Sequence, residues 1–295
     1  MNKKVVVNLI DQNVAHATSF SEANMWCGGG EVRHPLKVEY VRNYGEFPGI
    51  TIFTDKMLQY VDHVKSPVKA AWLMEPKAYD PGAYDMVQKL ENSFNIILTH
   101  DIELLNRNPE KYVYAPADTT IIESPSIKIH DKNKLTSFIY SDKQFLEGHK
   151  MRYKIAEYIK GKDYDISSYG HGCNPIEKKA DALKDYCFSI SVENSSADNY
   201  FSDKILDCFV TGTVPIYWGC PNVFDYFNKD GILYFNTIEE LEEILNSLSI
   251  EKYQNMKSVI EENFNSALFY MRLDDIILDT IIDKLNLKFT EESNG

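Results

Sequence analysis

The sequence predicts an α/β protein in which two doubly wound parallel sheets face each other across a cleft. Short apolar runs such as Val5–Ile10 and residues 70–74 read as strands covered on both faces, which is how strands of parallel sheets read. Acids stand directly after such runs, Asp11, Glu75 and Glu193 among them, at the carboxyl ends where these sheets bind ligands. Residues 187–220 form a strand, helix, strand unit of parallel-crossover length. The length of 295 residues exceeds what one core usually serves, so two domains are expected.

Composition narrows the function. A hydrophobic fraction of 44% with 13% aromatic residues excludes disorder. A net charge of −13 argues against nucleic acid, because phosphate backbones need a basic face. Cations for any anionic ligand must therefore be placed locally. The cysteines at 27, 173, 187, 208 and 220 show no paired spacing, which predicts free thiols and a cytoplasmic, reducing location. The apolar run after Lys3-Lys4 is too short for a signal sequence or a membrane span.

Taken in order, Val5–Ile10 is the first strand. The segment His16–Arg33, with Gly28-Gly29-Gly30, fits a surface loop as well as a cover over an acceptor site, since it matches neither a GxGxxG nor a P-loop pattern. Ile50–Thr54 is a strand with Asp55 at its end, and residues 56–64 a short helix. Residues 70–74 form a strand that Glu75-Pro76 ends, the proline keeping Glu75 out of a helix. His100 follows a buried strand and reads first as a hydrogen-bonded structural residue. The polar stretch from Glu123 to Lys134 lacks periodicity and marks a domain boundary: residues 1–125 form one domain, 126–275 the next, and 276–295 a C-terminal helix and tail.

The second domain opens with strand Leu135–Tyr140 and helix Glu147–Ile159, whose Met151, Ile155 and Ile159 share a face. A strand from Ile166 ends at Tyr169-Gly170. Asp163-Tyr164-Asp165 precedes that strand, which puts its carboxylates at the wrong edge for a metal, and residues 178–185 read as a solvated charged face. Phe188, Ile190 and Val192 alternate with Ser189 and Ser191, and the run stops at Glu193-Asn194-Ser195-Ser196. Helix pattern begins near Tyr200, with Ile205, Leu206 and Phe209 on one face and Gly212 as its stop. Its start would offer unpaired N–H groups to a phosphate, with Lys204 as a mobile cation. Asp203 would repel phosphate and suits ribose hydroxyls better. Val214–Trp218 and residues 232–236 are further strands, residues 237–262 amphipathic helices, and Leu268–Leu285 a final helix crossing back to the first domain, followed by a frayed tail.

Glu193-Asn194-Ser195, Tyr200-Phe201-Ser202-Asp203-Lys204 and Gly212-Thr213-Val214-Pro215 together resemble the donor-binding signature of the family 10 glycosyltransferases, the α-1,3/1,4-fucosyltransferases. Ser202-Asp203 stands where Thr-Glu is usual, and Ser191-Val192 precedes the acid where that family has Phe. Glu75-Pro76 resembles the segment that supplies the family's general base, Arg152 stands where the family carries an arginine on the donor diphosphate, and Tyr169-Gly170 resembles a strand end whose glycine admits the ligand. The resemblance spans about residues 70–236 and implies a GT-B fold, two Rossmann-like domains facing across a cleft, in a soluble enzyme of bacterial or viral type. It further implies inverting transfer of L-fucose from a GDP-sugar to a glycan hydroxyl, with no metal required and a divalent ion at most stimulatory. Glu75 would be the base. Glu193 and Asn194 would hold the sugar hydroxyls or shield the oxocarbenium-like centre. Arg152 and Lys204 would stabilise the diphosphate, and Tyr200 and Asp203 would contact the nucleotide. Another nucleotide sugar, or a non-catalytic binding relative, are the alternatives.

Overall fold

A computed structural model describes residues 4–12, 37–171 and 173–288, so the expected loop over 16–33 and most of the tail lie outside the described residues. The first sheet comprises β1 (Val5–Ile10), β2 (Val38–Arg42), β3 (Ile50–Thr54), β4 (Val68–Trp72), β5 (Ile96–Thr99) and β6 (Tyr112–Tyr114), all parallel, in the order β2-β1-β3-β4-β5-β6. Between them lie a 3₁₀ helix over Asp55–His63 and the helices α1 (Pro81–Lys89) and α2 (Ile102–Arg107). Local chemistry starts both α-helices: the Asp80 carboxylate accepts from Ala83 N with Pro81 in the first turn, and Asp101 accepts from Leu104 N.

The second sheet comprises β7 (Lys134–Ile139), β8 (Ile166–Tyr169), β9 (Tyr186–Val192), β10 (Val214–Trp218) and β11 (Leu233–Tyr234), again all parallel, in the order β11-β10-β9-β7-β8. Its helices are α3 (Glu147–Ile159), α4 (Asp203–Val210), α5 (Ile238–Asn246), α6 (Ile250–Gln254) and α7 (Lys257–Tyr270). Strand β9 is buried at every position, its interleaved serines included, because it runs through the middle of a sheet covered on both faces. Ser137 and Ser189 satisfy each other across β7 and β9 at 2.9 Å. After α4 the chain turns at Gly212, whose φ of 71° is the left-handed conformation that glycine adopts without strain.

Three sequence expectations are corrected here. The final helix is two helices: α7 ends at Tyr270 and α8 spans Leu273–Leu285, separated by Arg272 at ψ 39°. The break lets the chain change lobes. Ala267 and Tyr270 pack in a second-sheet core, whereas Leu273, Ile277, Leu278 and Ile281 are buried against the first sheet. Asp275 secures the crossing by accepting from Lys37 N at 2.7 Å. Helix α4 also begins later than its pattern predicts, because Tyr200 and Phe201 are buried in the loop before it and Ser202 is the N-cap. Residues 179–182 form a 3₁₀ turn with Ala180 and Ala182 buried, where a solvated face was expected. No helix among the described residues is long and apolar enough to cross a membrane.

Each sheet has one switch point, where successive crossovers leave a strand in opposite directions. These are β1/β3 in the first sheet and β7/β9 in the second. Crevices for ligands open at the carboxyl ends of such strand pairs.

Candidate functional site

A cavity of about 380 Å³ lies at the β7/β9 switch point. Its floor is the end of β7 (Ile139, Tyr140, Ser141) and of β9 (Ser189 to Val192), and its charged wall is Arg152, Lys179, Asp203 and Lys204. That volume falls in the range of small-molecule and cofactor sites. Gly170 also lines it. At φ 118°, and with a hypothetical Cβ 1.9 Å from the Tyr140 carbonyl, only glycine fits there. The close approach it permits is to the protein's own backbone beside the cavity.

Arg152 is on the buried face of α3, 7% exposed. Its Nε and Nη2 donate to the Val192 carbonyl at 3.0 and 2.5 Å, and Nη2 donates to Asn194 Oδ1 at 3.0 Å. These bonds fix the planar guanidinium at the carboxyl end of β9, and among the described residues Nη1 has no protein partner. Burial lowers its pKa from the ordinary arginine value. Asn194 thereby acts through Arg152, while its backbone carbonyl accepts from Gly148 N at 3.1 Å.

The start of α4 is not an open anion site. Glu193 accepts from Ser202 N at 3.0 Å, Asp118 from Asp203 N at 3.3 Å, and Ser202 Oγ from Lys204 N at 3.4 Å. The N–H groups expected to meet phosphate are already capped by side chains. What projects into the cavity is the Lys204 ammonium, 3.0 Å from Ser202 Oγ, 3.1 Å from Asp203 and 3.8 Å from Glu193. Burial alone would lower its pKa, but Asp203 and Glu193 raise it, so it stays charged.

Glu193 itself has no exposure and does not line the cavity. One oxygen accepts from Ser202 N and from Tyr217 OH at 3.3 Å, and the other from Ser202 Oγ at 2.5 Å. These bonds make Glu193 a buried anchor for the turn that carries Lys204. Burial raises its pKa, opposed by Lys204 and Ser202. Tyr200 is likewise covered, 3% exposed, with its ring 5.1 Å from that of His100 in the first lobe.

Asp203 faces the cavity but is doubly paired, with Lys179 at 2.5 Å and Lys204 at 3.1 Å. Burial pushes its pKa up, yet the two lysines hold it well below the usual carboxylate range. Lys179 also pairs with Asp207 at 2.7 Å. Sequence reasoning missed this lysine, whose neighbours in the chain are charged and look solvent-facing. Asp118 was missed too. Burial and Asp203 raise its carboxyl to about 7.

Glu75 follows β4 in the other lobe, half-buried. Burial raises its pKa first of all, and the charge that acts on it most is Lys204, across the cleft. Its backbone is held on both sides: Tyr84 OH donates to Glu75 O at 3.0 Å, and Glu75 N donates to Asp55 Oδ1 at 3.3 Å. His100 is buried, held neutral by burial with a pKa lowered to about 4, and its carbonyl accepts from Asn199 of the second lobe at 3.2 Å. It joins the lobes. Among the described residues no cluster of His, Cys, Asp and Glu is placed to hold a metal ion.

Residues 129–271 match the family described as glycosyltransferase family 10 (fucosyltransferase), C-terminal. A third of the chain is similar to an α-(1,3)-fucosyltransferase of Helicobacter pylori, 29% identical over 105 residues, which is 33% of this chain and 22% of that protein. Another relative is α-(1,3)-fucosyltransferase B of Drosophila melanogaster, 34% identical over 74 residues, or 24% of this chain and 17% of that protein. The chain thus matches about a fifth of the length of these curated relatives. A solved α1,3-fucosyltransferase superposes with a TM-score of 0.56 at 14% identity, over 99% of this chain and 92% of the other. A trehalose 6-phosphate synthase of Burkholderia multivorans does so with a TM-score of 0.57 at 9% identity, over 99% and 100%. The chain therefore has the GT-B glycosyltransferase fold, and the half that holds the cavity matches the C-terminal domain of glycosyltransferase family 10.

Proposed function

We propose that this protein is an inverting glycosyltransferase that moves L-fucose from GDP-fucose to a glycan hydroxyl, with residues 126–275 as the donor side and residues 1–125 as the acceptor side. One observation carries the reading most. A switch-point cavity presents two fixed cations, Arg152 and Lys204, and the charge that acts most on Glu75, a carboxylate of the opposite lobe, is that of Lys204. The fucosyltransferase relatives support the choice of sugar, and one solved neighbour of this fold, with a TM-score of 0.54, holds GDP-fucose.

In this mechanism the acceptor hydroxyl attacks the anomeric carbon from the face opposite the diphosphate. The new C–O bond forms as the bond to the β-phosphate oxygen breaks. The hydroxyl proton passes to Glu75, and the electron pair leaves with GDP. Partial burial raises the basicity of Glu75 towards that of a useful general base. Arg152 Nη1 and Lys204 meet the charge that grows on the departing diphosphate, where fixed cations in a cavity are worth most. These two cations supply the countercharge, so the reading requires no metal, and an added divalent ion is expected at most to stimulate. Asp203, kept ionised by its lysines, accepts from ribose hydroxyls with its remaining lone pairs. Glu193 and Asn194 hold Lys204 and Arg152 in place, and Tyr200 braces the same turn against His100.

Isothermal titration with GDP and UDP, without added metal, tests the donor assignment. Binding of GDP with UDP excluded supports it. Preference for UDP overturns the fucose reading, and binding of neither overturns the donor role of the cavity.

A further inference from the structure

The least comfortable residue in the first lobe is Asp55. It follows β3, 4% exposed, with φ 39°. A carboxylate is costly to bury, and a non-glycine residue at positive φ is strained, so such a residue persists where the surroundings impose it and commonly marks a functional position. It also sits at the β1/β3 switch point, the crevice of the first sheet, where Thr54 Oγ donates to Asp11 at 2.5 Å. Asp55 Oδ1 accepts from Met74 N at 2.9 Å and from Glu75 N at 3.3 Å. Those are the last two residues before Pro76 on the segment that carries the chain out of β4, and Pro76 has no N–H to continue any ladder.

We propose that Asp55 is the positioning residue for Glu75, fixing the backbone from which the base reaches the acceptor. This deepens the proposed function and rests on Glu75 being the base. With Tyr84 on the Glu75 carbonyl, the peptide groups on both sides of the Glu75 Cα are pinned, so only side-chain torsions remain free. Burial raises the Asp55 carboxyl to about 7. The groups that act on it are Glu75, Asp80 and Tyr84, besides the Met74 and Glu75 amides. A folded pKa above the unfolded one disfavours the folded state once the group ionises. Stability is therefore lost as pH rises through about 7, and a neutral substitute regains it.

Two variants suit the backbone. Asp55→Gly removes the carboxylate and tolerates positive φ, and Asp55→Asn keeps one acceptor oxygen and also tolerates it. In Asp55→Gly the amides of Met74 and Glu75 should exchange hydrogen at least tenfold faster. GDP affinity, a property of the other lobe, should stay within twofold. GDP release from GDP-fucose should fall on the order of 10² fold, the effect of misplacing a reacting group by about 1 Å. Asp55→Asn should recover most of that release, and should melt no lower than the parent protein at pH 8. Release at the parent rate in Asp55→Gly, a matching loss of GDP affinity, or equal losses in both variants would overturn the proposal. Glu75→Gln, run in parallel, separates the two readings. Full GDP release there removes the base itself, whereas lost release combined with unchanged exchange in Asp55→Gly removes only Asp55.

Discussion

Glu193→Gln is the substitution that best separates a buried anchor from a sugar contact. The amide keeps the shape of the carboxylate and removes its charge. At the 3.8 Å that separates it from Lys204, the Coulomb attraction is about 4 kcal/mol at an effective dielectric near 20. Relief of the burial of a charge offsets much of this. What remains is a donor mismatch. Three donors converge on Glu193, from Ser202 N, Ser202 Oγ and Tyr217, and the glutamine NH₂ must face at least one of them. A mismatch of that kind costs about 1–3 kcal/mol, or a fall in melting temperature of roughly 2–10 °C for a chain of this size. The Ser202 turn then no longer holds Lys204 on the diphosphate, so affinity for GDP and for GDP-fucose should fall together, about tenfold. Calorimetric melting and titration with both ligands measure these quantities. Unchanged melting, or weaker binding of GDP-fucose alone, would refute the anchor and restore the sugar contact.

Other substitutions probe neighbouring parts of the site. Arg152→Lys keeps a charge but cannot serve Val192, Asn194 and a phosphate at once, so GDP binding should weaken by about 10- to 100-fold in titration. Gly148→Ala places a methyl 1.7 Å from the Glu193 carbonyl, and the variant should lose thermal stability and GDP binding together. Because burial raises the pKa of Glu75, the rate should fall with acidification through an ionisation above the ordinary glutamate range; the base works deprotonated, and a pH profile of kcat/KM reads the limb. A limb at the ordinary value would place Glu75 in water.

Much of the second lobe was legible in the sequence. The alternation over 188–192 and the Gly212 stop mark β9 and the end of α4 because period and turn chemistry are local signals. The start of α4 was not, since Tyr200 and Phe201 look like helix face until tertiary packing buries them in a loop. Nor did Glu193 announce its burial: an acid at a strand end reads the same whether it faces a ligand or Ser202. Lys179 illustrates the converse, a lysine drawn inward by Asp203 and Asp207 from elements distant in sequence. Strand β6 and helix α2, three and six residues long, are too short for a readable period.

The most direct test of the account is Glu75→Gln measured twice, by GDP titration and by fucose transfer from GDP-fucose to a glycan acceptor. The account predicts GDP affinity within twofold of the parent and transfer reduced by at least 10² fold, the usual contribution of a general base. Transfer at the parent rate would contradict it.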